Sequence, residues 1–172
     1  MMKSEMRKSM IAKRHGLTQY EVIEKSNRIV AHIREDKNYQ EAKYVAIFFP
    51  MGNEVNVLSL VSDNKQFCFP KVEKDGIHFY VSQDFNTFTR SPFGVLEPTC
   101  GELCDHKIDY MLVPALAISA SLYRVGYGKG YYDRFLSIRR PNHVIGVAYD
   151  FQLDQQFEIH EHDQKLDRVI WG

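Results

Sequence analysis

Two short, nearly unbroken apolar runs, Tyr44 to Phe49 and Ile108 to Val113, each stop at a proline. A strand with one wet face alternates apolar and polar residues, so continuous runs of this length read as strands covered on both faces. Val144 to Tyr149 is a third run of this kind, Phe67 to Phe69 before Pro70 is a shorter one, and Ile77 to Val81 alternates like a half-exposed strand. Covering both faces of a sheet takes helices, and the chain supplies them. Thr18 with Glu21 makes a capping box, and Val22, Ser26, Ile29, Val30 and Ile33 then recur at helical spacing, which predicts a helix to about Asp36. Lys3 to His15 and Tyr131 to Ile138 read as further helices, and Val55, Leu58, Leu60 and Val61 as a short one. Between Ser82 and Lys107 the chain is irregular, punctuated by Pro92, Gly94, Pro98 and Gly101, and such a segment suits the cover of a site. The fold expected over residues 1–172 is a single three-layer α/β domain, its mostly parallel central sheet flanked by helices. Ligands then belong at the carboxyl ends of the strands.

Charge narrows the partners. With 22 Lys plus Arg against 22 Asp plus Glu, the formal net charge is +0, so no general attraction to nucleic acid or to an anionic membrane is expected. No apolar run reaches the length of a membrane span, and the start, MMKSEMRKSM, lacks the apolar core of a secretion signal, which points to the cytoplasm. Cys68, Cys100 and Cys104 contain no CxxC pair and read as reduced thiols; Cys100 and Cys104 with His106, His160 and His162 match no zinc module.

The densest chemistry lies in Arg124-Val125-Gly126-Tyr127-Gly128-Lys129-Gly130-Tyr131-Tyr132-Asp133-Arg134, after the Ile108 to Val113 strand and at the opening of a helix. Glycines let successive backbone amides turn toward one point, and the helix adds its own unpaired amides and positive dipole end. That arrangement holds phosphate, or it is only a tight connection. Arg124 and Lys129 would add cations able to neutralise phosphoryl oxygens. The GxGxG pattern is neither a P-loop nor a dinucleotide fingerprint. Asp133 in the first helical turn, and Asp163 and Asp167 near the end, are carboxylates able to hold magnesium beside a phosphate, although a helix dipole alone also favours Asp133. Lys3 and Arg7 share one helix face, and Glu54 follows a strand-end loop where polar ligands bind.

In order and spacing, several pieces together resemble the 5-formyltetrahydrofolate cyclo-ligase family, also called 5,10-methenyltetrahydrofolate synthetases. They are the Lys3 and Arg7 helix, Asn53-Glu54-Val55, Phe69-Pro70-Lys71, Gly94 with Glu97-Pro98, Val113 to Ala117, Tyr123 to Leu136, and the closing His162-Asp163 and Leu166-Asp167. The resemblance spans nearly the whole chain. It implies ATP- and magnesium-dependent cyclisation of 5-formyltetrahydrofolate to 5,10-methenyltetrahydrofolate, with release of ADP and phosphate, in a cytoplasmic monomer. By position it implies ATP contacts from Lys3, Arg7 and Arg124 through Tyr132, that is Val125, Gly126, Tyr127, Gly128, Lys129, Gly130 and Tyr131 between them. Folate contacts fall to Phe49, Glu54 and the segment Tyr127 to Tyr131, magnesium to Asp133 and Asp163, and catalysis to Arg124, Lys129 and Tyr132. Lys71 is a further phosphate candidate, and the sequence leaves open whether the folate carries a polyglutamate tail.

The chain departs from the family pattern at Ala115, at Ile118-Ser119 and at Leu122, which stand where the pattern has glycine, Phe-Asp and glycine. Leucine at a position adapted to glycine is strained if its φ is positive. Losing the carboxylate at Ser119 would remove a partner for Arg124 or the metal. The alternative implied is a catalytically weakened nucleotide- or folate-binding member acting as a buffer or regulator.

Overall fold

Residues 1–172 are described by a computed structural model. Its helices are α1 (Lys3–His15), α2 (Gln19–Glu35), α3 (Lys37–Glu41) and α4 (Tyr131–Ile138). Its first strands are β1 (Tyr44–Ala46), β2 (Gln66–Glu73), β3 (Gly76–Val81), β4 (Thr89–Arg90), β5 (Leu96–Glu97) and β6 (Glu102–Leu103). Then come β7 (Tyr110–Pro114), β8 (Ala117–Ile118), β9 (Arg124–Val125), β10 (His143–Ala148) and β11 (Arg168–Trp171). Seven strands form the central sheet in the order β11-β10-β7-β1-β2-β3-β6. The pairs from β11 to β2 are parallel, and β3 and β6 add antiparallel at the far edge.

The continuous apolar runs are explained by the pleat. Val45, Tyr110, Leu112, Ile145 and Val147 point into one core with Ile29, Val30 and Ile33 of α2. Their neighbours Ala46, Met111, Val113, Val144 and Ala148 point into the other, with Phe135 and Leu136 of α4. Successive strand residues face opposite sides, so a strand between two helical layers has no wet face. The capping box forms as expected: Glu21 N–H donates to Thr18 Oγ1 at 3.1 Å and Thr18 N–H to Glu21 Oε1 at 3.0 Å.

Several boundaries differ from the sequence expectation. β1 ends at Ala46, although Ile47 and Phe48 remain buried: Ile47 N–H still donates to Cys68 O of β2 at 2.9 Å, and Phe48 then lies on the wall of a cavity. β2 runs on to Glu73 as one arm of a hairpin with β3, paired from Cys68↔Val81 to Glu73↔Gly76. Pro70 is tolerated in it because β1 pairs only with Gln66 to Cys68, so the proline faces no strand on that side. The expected short helix is a 3-10 turn, Leu58–Ser62. β11 has no counterpart in the sequence reading, since four residues on a sheet edge give too short a pattern to recognise.

Between β8 and β9 the chain turns through Ser119 to Tyr123, closed by Leu122 N–H to Ser119 O at 2.9 Å and Ser119 N–H to Tyr123 O at 2.8 Å. Leu122 has φ 70°, the left-handed conformation that favours glycine. Ser119 Oγ accepts from Tyr123 N–H at 3.1 Å and lies 3.0 Å from Ser121 Oγ, so its hydrogen bonds stay inside the turn. Leu122→Gly is therefore expected to be more stable than Leu122→Ala by about 1 kcal/mol, because both lose the same packing and only alanine keeps the backbone strain. Paired urea titrations check this, and equal midpoints would contradict it. Ala115 has no positive φ, so its methyl group meets no such penalty.

Candidate functional site

From β1 the sheet grows outward through β2 on one side, and from β7 it grows through β10 and β11 on the other. A parallel sheet leaves a crevice where its connections diverge in this way, outside the carboxyl ends of the two strands. A cavity of about 480 Å³ lies there, lined by Phe48, Phe49, Met51 and Glu54 after β1 and by Pro114, Ala115 and Leu116 after β7. Lys3 and Arg7 of α1, the whole stretch Arg124 to Asp133, and His162 with Asp163 complete its wall. All the site residues singled out in the sequence, except Lys71 and Asp167, therefore line one cavity. Lys71 lies instead near the Tyr80 ring, its ammonium 6.0 Å from the ring centre. Asp167 fastens β10, accepting from Val144 N–H at 2.8 Å and from Arg140 Nη2 at 2.9 Å.

The glycine-rich segment is shaped by its own side chains. Gly128 has φ 101° and Gly130, which caps α4, has φ 72°. A Cβ at Gly126 would sit 2.7 Å from Arg124 Nη1, so glycine there leaves the guanidinium in its place. Arg7 Nε donates to Gly126 O at 2.8 Å, tying α1 to the segment.

Arg124 is the unusual group. It is buried, its Nη1 donates to Pro114 O at 3.0 Å, and its Nε is sealed from solvent with no partner. Its guanidinium lies over the Tyr132 ring, 5.1 Å from the centre. Burial lowers its pKa, and Asp133, Tyr132, Asp163 and Glu54 oppose that only from a distance, since none of them forms an ion pair with it. A guanidinium stays charged under such pressure, so the cavity contains a buried cation without a counter-ion. Glu54 is its counterpart: burial pushes this carboxyl up to about 7, against the opposing pull of Arg14, Met51 N–H and Arg124. Its Oε1 accepts from Met51 N–H at 3.1 Å, while Oε2 lies 3.9 Å from Arg14 Nη1. One carboxylate oxygen therefore remains open to a ligand.

Asp133 and Asp163 come from different elements. Asp133 Oδ1 accepts from Gln164 N–H at 3.3 Å, and Asp163 Oδ2 accepts from His160 N–H at 2.8 Å and pairs with the Lys3 ammonium. Burial would raise the Asp163 carboxyl, but the His160 N–H and Lys3 hold it below the ordinary carboxylate range. The pair offers hard oxygen donors, and a cation already stands on one of them, so the donor set fits magnesium shared with a phosphate. The cysteine and histidine residues considered for zinc are not brought together. The one group of three potential ligands is Glu73, Asp75 and His78 on the β2–β3 hairpin. Its imidazole is engaged by Asp105 at 2.6 Å and Asp75 at 2.7 Å, and its Glu73 by the Tyr80 hydroxyl.

Two contributors escaped the sequence reading. The β4–β5 hairpin places Ser91, Phe93, Val95 and Glu97 on the cavity wall, and Glu97 Oε2 anchors it by accepting from Val72 N–H at 2.8 Å. The irregularity of residues 82–107 signalled a cover but not which side chains face inward. Arg14, buried at the end of α1, pairs with Tyr127 and Glu54. Its signal was its spacing, since Lys3, Arg7, Met10 and Arg14 fall on one helical stripe.

A family model described as the 5-formyltetrahydrofolate cyclo-ligase family matches residues 1–172. A 5-formyltetrahydrofolate cyclo-ligase of Mycoplasma genitalium is 30% identical over 175 residues, covering 98% of this chain and 96% of the relative. One from Mycoplasma pneumoniae is 31% identical over 181 residues, with 98% and 97% covered. The solved structure of Aquifex aeolicus 5,10-methenyltetrahydrofolate synthetase superposes with a TM-score of 0.86 at 31% identity, over 99% of this chain and 90% of that one.

Proposed function

Because the chain belongs to the 5-formyltetrahydrofolate cyclo-ligase family, we propose that its cavity converts 5-formyltetrahydrofolate and ATP into 5,10-methenyltetrahydrofolate, ADP and phosphate with the help of magnesium. The observation that carries this reading is the buried, unpaired Arg124 in one cavity with an open carboxylate at Glu54 and the acidic pair Asp133 and Asp163. An anion is needed to satisfy the first, a donor of hydrogen bonds the second, and a cation the third. ATP, the amino-substituted pteridine and magnesium supply all three.

In this reading Lys3, Arg7 and the segment Arg124 to Tyr132 hold the triphosphate. Asp133 and Asp163 would hold magnesium, which would neutralise charge on the phosphates, and Lys3, paired with Asp163 here, is within the same wall to meet a phosphate oxygen. Phe49 packs on the pteridine, and Glu54 Oε2 accepts from its amino and ring N–H groups. The residues Tyr127, Gly128, Lys129, Gly130 and Tyr131 bring the formyl end of the folate against the nucleotide. The formyl oxygen takes the terminal phosphoryl group and ADP leaves. N10 then bonds to the activated carbon and loses its proton, and the carbon–oxygen bond breaks with departure of phosphate. Arg124 and Lys129 stabilise the negative charge that shifts across the phosphoryl oxygens, and Tyr132 keeps the Arg124 plane in place.

Of the departures behind the weakened-binder alternative, Ser119 and Leu122 sit in the β8–β9 turn away from the cavity, whereas Ala115 is on its wall, and the family match favours the enzyme. Cys68, Cys100 and Cys104 are unpaired, which fits a reducing compartment such as the cytoplasm. No helix is long and apolar enough to cross a membrane. The deciding assay mixes pure protein with 5-formyltetrahydrofolate, magnesium and ATP and follows the absorbance of methenyltetrahydrofolate. Turnover is expected to require ATP and to fall about a hundredfold or more in Asp133→Ala. Turnover without ATP, or an Asp133→Ala variant as active as the parent, would refute the assignment.

A further inference from the structure

Arg14 is not part of the cavity wall, yet it touches two side chains that are. Its Nη2 donates to the Tyr127 hydroxyl, its Nη1 stands 3.9 Å from Glu54 Oε2, and its guanidinium carbon lies 5.7 Å from the centre of the Tyr127 ring. The contact is held from behind. Asn53, next to Glu54, donates from Nδ2 to Arg14 O at 2.8 Å and to Leu17 O at 3.2 Å, so the loop after β1 satisfies carbonyls at the end of α1. Asn53 O in turn accepts from the Tyr149 hydroxyl at 2.8 Å. α1 and the loop therefore dock as a unit, and Arg14 is returned to Glu54 at short range.

We infer that Arg14 is a positioning residue that orients Glu54 and Tyr127 toward the pteridine end of the substrate without reaching the substrate itself. This rests on the proposed role of Glu54 in holding folate. The helix whose first turns bring Lys3 and Arg7 to the nucleotide thus uses its last turn to set folate recognition. The groups facing Glu54 are Arg14 from α1, Arg124 from β9, Tyr127 from the glycine segment, Tyr132 from α4 and Tyr149 after β10. Arg14 is the one cation within ion-pair distance. Removing it leaves a buried carboxyl to neutralise itself by taking a proton, which spoils it as an acceptor.

The test compares Arg14→Met, which keeps the length of the side chain, with Arg14→Lys, which keeps the charge and loses the planar fork. In Arg14→Met the KM for 5-formyltetrahydrofolate is expected to rise about tenfold or more near pH 7.5, with kcat and the KM for ATP changed less than about threefold. The pH below which the folate KM climbs is expected to move upward by about one unit. Arg14→Lys is expected to restore that pH while leaving a raised KM. Equal changes in both KM values, or an unmoved pH midpoint in Arg14→Met, would overturn the inference. If Arg14→Met does not fold, Arg14→Lys decides alone, and a folate KM equal to that of the parent overturns it. Glu54→Gln separates the two levels: an unaffected folate KM there removes the folate reading, whereas a defect there beside a normal Arg14→Met removes only the role of Arg14.

Discussion

Arg124→Met is expected to lower kcat/KM by about a thousandfold or more while leaving the protein at least as stable as the parent chain. The two effects have one cause. A guanidinium taken out of water loses hydration worth several kcal/mol per ion, which folded proteins ordinarily recover through a carboxylate partner and a full set of hydrogen bonds. Arg124 has neither: one hydrogen bond to Pro114 O, no ion pair and an Nε without a partner. The Tyr132 ring and the distant acids recover part of the deficit, and the rest is held until an anion arrives. Methionine fills a similar volume with no charge to desolvate. The folded state then loses a cost and the bound phosphoryl group loses its donor. Arg124→Lys, a point charge without the fork, is expected to fall between. A thermal melt and steady-state kinetics on the same preparations decide it. A methionine variant that turns over within tenfold of the parent, or one that is markedly less stable, would contradict the account.

The second large effect concerns Glu54. Its carboxyl titrates at about 7 in the folded chain, raised by burial from an ordinary value of 4.5. Because the folded state holds this proton more tightly than the unfolded state, stability falls as pH rises from about 4.5 to about 7, and the full cost is present above that window. On the proposed folate contact, donors on the pteridine favour the ionised form, so folate affinity is expected to run the other way and weaken below pH 7, approaching tenfold per pH unit. Glu54→Gln removes the titration and the charged acceptor together. At pH 8 the variant is expected to show a folate KM raised about a hundredfold, a KM for ATP near that of the parent, and a melting temperature equal to or above it. Its folate KM is expected to stay flat between about pH 5.5 and 8, while that of the parent climbs on the acid side. Parallel acid limbs in the two proteins would assign the titration to another group.

Much of this arrangement was legible in the residues. The uninterrupted apolar runs announced strands with helices on both faces, because the pleat must bury every residue of a strand between two layers. The Thr18 and Glu21 box marked the start of α2, since both of its bonds span three residues. The alternating glycines announced a tight segment at a helix start, where two of the three have positive φ. Other features left little trace. Whether Leu122 was strained could not be known from leucine, only from the left-handed turn between β8 and β9. Phe93 belongs to a hairpin of two-residue strands, whose pattern is too short to show which side chains turn inward.

The sequence alone determined the layered α/β architecture and the residues of the glycine-rich segment, because both arise from periodicity and from contacts within a few positions of the chain. Tertiary structure alone decided what those residues meet. Lys3 finds Asp163 across 160 positions, Arg14 finds Tyr127 across 113, and Arg124 is left with no counter-ion at all. Such encounters depend on which strand ends the sheet order brings to one crevice, and burial there then changes the chemistry of each group. A carboxylate and a guanidinium that are ordinary in water become, once desolvated, an acceptor poised near neutral pH and a cation waiting for an anion.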